Sequence, residues 1–128
     1  MIKLDHITTR AQLKRYYASL LPIIRELARE HGYAIGVHGS MSRDLDVIAV
    51  PWVEKPKKPE SLIIAIEKAI IGASHMRKYW KETVSNKPLG RKAYSIHIGW
   101  TGRNFTKTGT KRYKGMAYID ISFTPAYE

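Results

Sequence analysis

Two stretches near the C-terminal end alternate between apolar and polar residues, and this alternation restricts the fold more than any other feature. Over Arg91 to Trp100, Tyr94, Ile96, Ile98 and Trp100 fall on one side and Ala93, Ser95, His97 and Gly99 on the other. Over Ala117 to Phe123, Ala117, Ile119, Ile121 and Phe123 would face a core, with Tyr118, Asp120 and Ser122 opposite. A period of two is that of a β-strand with one face covered. The Gly-, Thr- and Lys-rich stretch from Thr101 to Gly115 suits a long hairpin tip between them.

The cover must come from the rest of the chain. Leu13, Tyr16, Tyr17, Leu20, Ile24, Leu27 and Ala28 recur at helical spacing between the capping candidates Thr8-Thr9 and the stop signal Gly32. A helix over about Arg10 to His31 follows, with Pro22 as a point where it could bend. Arg10, Lys14, Arg15, Arg25 and Arg29 form its solvated face. Tyr33 to His38 and Asp44 to Val50 read as strands, the second apolar enough to be covered on both faces. Pro51 to Pro59 is a proline- and lysine-rich surface loop that opens a second helix at Pro59. That helix buries Leu62, Ile63, Ile66, Ala69 and Ile70, and Gly72 ends it. Ser74 to Ser85, with Met76, Tyr79, Trp80 and Val84, fits neither period. The expected architecture is α+β: one domain over residues 1–128, a small mixed β-sheet with helices packed on one face.

At 128 residues and 44% hydrophobic content, one domain can bury its own core. The chain has no cysteine, which excludes disulfides, thiolate metal sites and thiol nucleophiles. It also lacks an apolar run of about 18 residues that could span a bilayer. Met1 to Asp5 has no apolar leader character, so a soluble, unprocessed, cytoplasmic protein is the expectation. Lys and Arg number 22 against 11 Asp and Glu, a net charge of +11 that attracts polyanions and makes nucleic acid the leading partner class.

Chemistry concentrates in carboxylates set within apolar strands. Asp44 and Asp46, two apart, would project from one sheet face with Leu45 on the other. Asp120 is a third acid with apolar residues on both sides, and could join them if its strand is adjacent. Mutually repelling carboxylates are relieved by a hard cation such as Mg²⁺, held by one or two of them together with substrate phosphates. The alternative is structural: Asp44 capping the turn and pairing with Arg43, Asp46 bonded to backbone, Asp120 paired with a lysine. Charges inside apolar strands are costly unless paired or metal-bound, which favours the functional reading. Gly39-Ser40 provides a backbone that can approach a phosphate and a hydroxyl that can donate to it, or simply a tight turn.

His38-Gly39-Ser40, Asp44-Leu45-Asp46-Val47 and Ile119-Asp120-Ile121 together resemble the DNA polymerase beta-type nucleotidyltransferase superfamily. The resemblance implies a nucleotidyltransferase-like fold in which Gly39 and Ser40, with Arg43, hold a nucleoside triphosphate. It implies that Asp44, Asp46 and Asp120 bind Mg²⁺ or Mn²⁺ and that Asp120 helps activate an acceptor hydroxyl on a nucleic acid or protein. A narrower set, adding Arg43, Pro51-Trp52, Gly90-Arg91, Ile96-His97 and Tyr118, is similar to short proteins encoded in tailed phages and prophages. That similarity implies a bacterial host cell and leaves room for a host-protein partner.

His38 and His97 could both face the acids, as general acid or base, as ligands, or as buried structural histidines. His97 is accordingly a catalytic candidate, and with the acids would serve a metal-dependent phosphodiesterase or nuclease. The hairpin tip carries Arg103, Lys107, Lys111, Arg112 and Lys114 interleaved with Phe105 and Tyr113, suited to single-stranded nucleic acid or simply to solvent. With it, the same fold could act as a non-catalytic binding module. Trp52 and Trp80 are expected in a core or interface.

Overall fold

The computed structural model describes residues 3–72, 85–86, 90–102 and 115–125. Helix α1 spans Arg10–Glu30 and begins with a reciprocal cap: Gln12 N–H donates to the Thr9 hydroxyl at 3.1 Å and Thr9 N–H donates to the Gln12 side chain, also at 3.1 Å. It runs through Pro22 and buries Leu13, Tyr16, Tyr17, Leu20, Ile24 and Ala28. Helix α2, Pro59–Ile70, has proline in its first turn, where no N–H is needed. Its buried stripe is Leu62, Ile63, Ile66 and Glu67. The expected stripe is thus displaced toward Glu67, and Ala69 is exposed.

Strands β1 (Tyr33–His38), β2 (Asp44–Pro51), β3 (Ser85–Asn86), β4 (Lys92–Trp100) and β5 (Met116–Phe123) are arranged in the order β1-β2-β5-β4-β3. Four of them form a mixed open sheet, which the two-residue β3 extends at its far edge. All pairings are antiparallel except β2 with β5. A parallel pair needs a crossover, and α2 lies within the chain that makes it.

One sheet face carries Tyr33, Ile35, Leu45, Val47, Ala49, Tyr94, Ile96, Ala117, Ile119, Ile121 and Phe123, all buried in a single core with the apolar sides of both helices. Fully burying each such aliphatic side chain contributes roughly 1.5–3 kcal/mol. The alternate residues of β1, β2 and β5 are exposed or half-buried, so among the described residues helices cover one face only. β2 is therefore not covered on both faces as its composition suggested. Its apolar run ends in Ile48, half-buried, and Val50, 44% exposed, on the uncovered side.

The alternation also fails at one point in β4. A bulge between His97 and Gly99 shifts the register, so that His97 pairs with Tyr118 but Gly99 pairs with Ala117 and Trp100 with Met116. The extra residue reverses the facing of everything beyond it. Gly99 turns toward the core side, with φ +154° and a notional Cβ only 3.0 Å from Leu4 Cδ2. Trp100, expected beside Ile96 and Ile98, turns to the His97 side and is 55% exposed. Trp52, expected in a core or interface, is 59% exposed and not part of the core.

At the other edge, Trp52 N–H donates to Gly32 C=O at 3.1 Å, a phase that turns the peptide groups of Tyr33, Ile35 and Val37 away from β2. Arg25 of α1 donates from Nη1 to the Ile35 carbonyl at 2.7 Å. The ambiguous segment from Ser74 to Val84 and the hairpin tip from Arg103 to Lys114 lie outside the described residues.

Candidate functional site on the open sheet face

The parallel pairing of β2 with β5 brings the three acids together. Asp46 is directly opposite Asp120, and Asp44 is opposite Tyr118. On the far side of β5, Ser95 of β4 is opposite Asp120 and donates its hydroxyl to Asp120 Oδ1 at 2.6 Å. On the far side of β2, His38 is opposite Asp46. The uncovered face thus carries a row across four strands: His38, Asp46, Asp120, Ser95. His97 and Tyr118 form the next row, their ring centroids 5.4 Å apart.

The acids act on one another. Burial is the first cause that pushes the Asp120 carboxyl up to about 6, aided by the charges of Asp44 and Asp46 and by a hydrogen bond with Asp46, and opposed by the Ser95 hydroxyl. A hydrogen bond to a neighbouring carboxylate favours the protonated form of Asp120. Burial and the Asp46 charge also raise the Asp44 carboxyl, against the lowering influence of Arg43. Burial lowers the His97 imidazole, against a hydrogen bond with the Gly99 backbone. His97 is therefore biased toward its neutral form.

The purely structural alternative for the acids describes these contacts only in part. Arg43 acts on Asp44 as a nearby charge, and Asp120 faces Ser95 and two carboxylates rather than a lysine. Oxygen-only donors that repel one another suit a hard cation. Among the described residues no three His, Asp or Glu side chains converge as a ready-made metal shell. Asp46 and Asp120 form a two-carboxylate floor, with Asp44 beside it. A Mg²⁺ ion held by one or two carboxylates and completed by substrate phosphate and water fits that donor set.

Residues 39–43 link β1 to β2 through bends, without a helix. Gly39 has φ +85°, and a Cβ there would stand 3.2 Å from Asp46 Oδ2, so glycine lets this backbone lie against the carboxylate. Met41 also has positive φ, 58°, unusual for a residue with a side chain. The Ser40 and Ser42 hydroxyls are 2.7 Å apart, and Ser42 N–H donates to Ser40 Oγ at 3.3 Å. Arg43 is exposed, and its carbonyl is the group that anchors it.

That anchor is a residue the periodicity assigned only to the core. Tyr17 Oη donates to Arg43 C=O at 2.6 Å and accepts from Tyr118 N–H at 3.2 Å. One buried hydroxyl from α1 thus ties the start of β2 to β5 where both carry their acids. Ser95 was equally missed, although its shared face with His97 was visible in the alternation. Compared with protein-family models, with curated proteins and with solved structures, the chain matches none.

Proposed function

We propose that the open sheet face is a nucleotide-phosphate site supporting transfer of a nucleotidyl group from a nucleoside triphosphate to a nucleic-acid or protein hydroxyl. The observation carrying this reading is the in-register placement of Asp46 and Asp120, with Asp44 beside them. Asp46 and Asp120, with Asp44 beside them, would hold Mg²⁺ or Mn²⁺ through one or two carboxylates at a time, and the ion when bound would supply charge neutralisation for the phosphates. Gly39 allows the backbone to approach the acids, and the Ser40 hydroxyl would exchange its bond with Ser42 for one to a phosphate oxygen. Asp120 would help activate an acceptor hydroxyl by taking its proton. Ser95 orients the Asp120 carboxyl, and Tyr17 fixes the strands that carry all three acids. The basic character of the chain supports a nucleic-acid acceptor.

The test is thermal denaturation with Mg²⁺ or Mn²⁺ and each nucleoside triphosphate. A rise in melting temperature that requires both metal and triphosphate, and is lost in Asp46→Asn, supports the reading. No shift with any triphosphate sinks it.

The passage from Gly39 to Asp44 through bends alone favours a second reading. Without a helix N-terminus there, a main source of phosphate grip is missing, and the fold would serve as a non-catalytic nucleic-acid or host-protein binding module. Salt-sensitive nucleic-acid binding unaffected by Asp44→Ala and Asp120→Ala would select it.

A further inference from the structure

Trp100 occupies a position that packing does not account for. A strand that kept its alternation would bury it beside Ile96 and Ile98. The bulge between His97 and Gly99 instead delivers the indole to the side that bears the acids. There it meets His97 with ring centroids 5.9 Å apart and planes at 90°. His97 in turn packs on Tyr118 at 36° between ring planes. A perpendicular contact with one ring can cover at most one face of an indole, and Trp100 remains 55% exposed. Bulges beside functional sites re-aim side chains in this way.

The direction of this aromatic row matters. Trp100, His97 and Tyr118 run toward the carboxylates, since Tyr118 is two residues from Asp120 and opposite Asp44. Two residues along a strand span roughly 6.5–7 Å, so Trp100, paired with Met116, lies about 13–14 Å along the sheet from the row of Asp46 and Asp120 and about half that from the row of Asp44. A base stacked on Trp100 and a phosphate at the acids would therefore be separated by more than one sugar, the span from a base to the distal phosphates of a nucleoside triphosphate or to a neighbouring phosphate of a single strand. Aromatic side chains stack on any base, because every base presents a π-face.

We propose that Trp100 is the base-stacking residue of this face, binding the nucleobase of a ligand whose phosphate points toward Asp44, Asp46 and Asp120. The ligand class is a base-bearing phosphate, supplied as a free nucleotide or as the terminal nucleotide of a single strand. The proposal deepens the phosphate-site reading and rests on it for the ligand's direction, but the stacking itself requires no metal.

The experiment is calorimetric and fluorimetric titration of the full chain, with Mg²⁺ and separately with a chelator. The ligands are AMP, ATP, ribose 5-phosphate and a five-nucleotide oligothymidylate. Saturable binding with tryptophan quenching by AMP, but not by ribose 5-phosphate, is expected. Trp100→Ala should weaken AMP binding roughly tenfold, within the range that loss of one stacked base produces. Trp100→Phe should recover most of it, and Trp52→Ala should bind as the parent does. Tighter binding of the oligothymidylate than of AMP identifies a strand as the source, and the reverse a free nucleotide.

Equal binding of AMP and ribose 5-phosphate, unchanged AMP affinity in Trp100→Ala, or no saturable binding by any base-bearing ligand overturns the proposal. The two readings fail separately. A metal-and-triphosphate shift that survives Trp100→Ala removes the stacking role alone, whereas quenching by AMP in chelator without any metal-dependent shift removes the transfer reading alone.

Discussion

Asp46 and Asp120 stand opposite one another across the parallel β2–β5 ladder, close enough for a hydrogen bond between their carboxyls that helps Asp120 keep its proton. The folded state holds that proton up to about pH 6, whereas an ordinary aspartate with a value of 3.8 has released it. Folding therefore takes up a proton between these values, and stability falls as pH rises through that window and stays lowered above it. In chelator, Asp120→Asn should raise neutral-pH stability by about 1–3 kcal/mol and flatten the pH dependence. Urea unfolding at several pH values from 4 to about 8 measures both effects, and a parent protein indifferent to pH over this range would contradict the raised Asp120 carboxyl.

Tyr17→Phe keeps the ring in the core and removes only the hydroxyl between Arg43 C=O and Tyr118 N–H. Two interior backbone groups lose a partner, so a loss of about 1–3 kcal/mol is expected in urea unfolding. Because the same hydroxyl sets the spacing of the acid-bearing strands, affinity for Mn²⁺ should fall as well. A variant that loses stability but binds Mn²⁺ as before would restrict Tyr17 to a packing role.

Gly39→Ala places a methyl against Asp46 Oδ2 on a backbone with positive φ. The conformational strain should cost about 1 kcal/mol or more, and the displaced carboxylate should weaken any metal-dependent nucleotide binding. Melting temperatures with and without Mg²⁺ and triphosphate separate the two: the ligand-induced shift should shrink beyond the loss seen without ligand.

Thr9→Ala provides the contrast. It removes the side-chain half of the α1 cap far from the acids and should cost about 1 kcal/mol. Ligand-induced shifts should stay as in the parent. A changed shift would mean that general destabilisation, not site geometry, underlies the effects of Tyr17→Phe and Gly39→Ala.

The strands and the facing of Asp44, Asp46, Asp120 and His97 were legible because a two-residue period survives wherever one sheet face is buried. Adjacency of β2 and β5 was not, since a parallel pair depends on how a long crossover packs rather than on local pattern. Trp100 illustrates a second limit. Counting alternation assumes one residue per step, and a bulge with Gly99 at its far side adds one without any hydrophobic signature. Tyr17 shows a third: a tyrosine in an apolar stripe looks like a phenylalanine until the partners of its hydroxyl are known. Glu67 entered the buried stripe of α2 because helical facing is set by neighbours, not by polarity alone.

The guanidinium of Arg25 on the Ile35 carbonyl has a consequence for how copies of this chain behave in a crowded solution. β1 is an edge strand whose outward peptide groups could template another chain, and a long unguarded edge invites aggregation. Arg25 occupies the middle acceptor of that edge with a charged group that a docking strand would have to displace and desolvate. The arginine that looked like ordinary solvent-facing charge in α1 thus acts as a guard against self-association, and its loss would first be seen as turbidity rather than as unfolding.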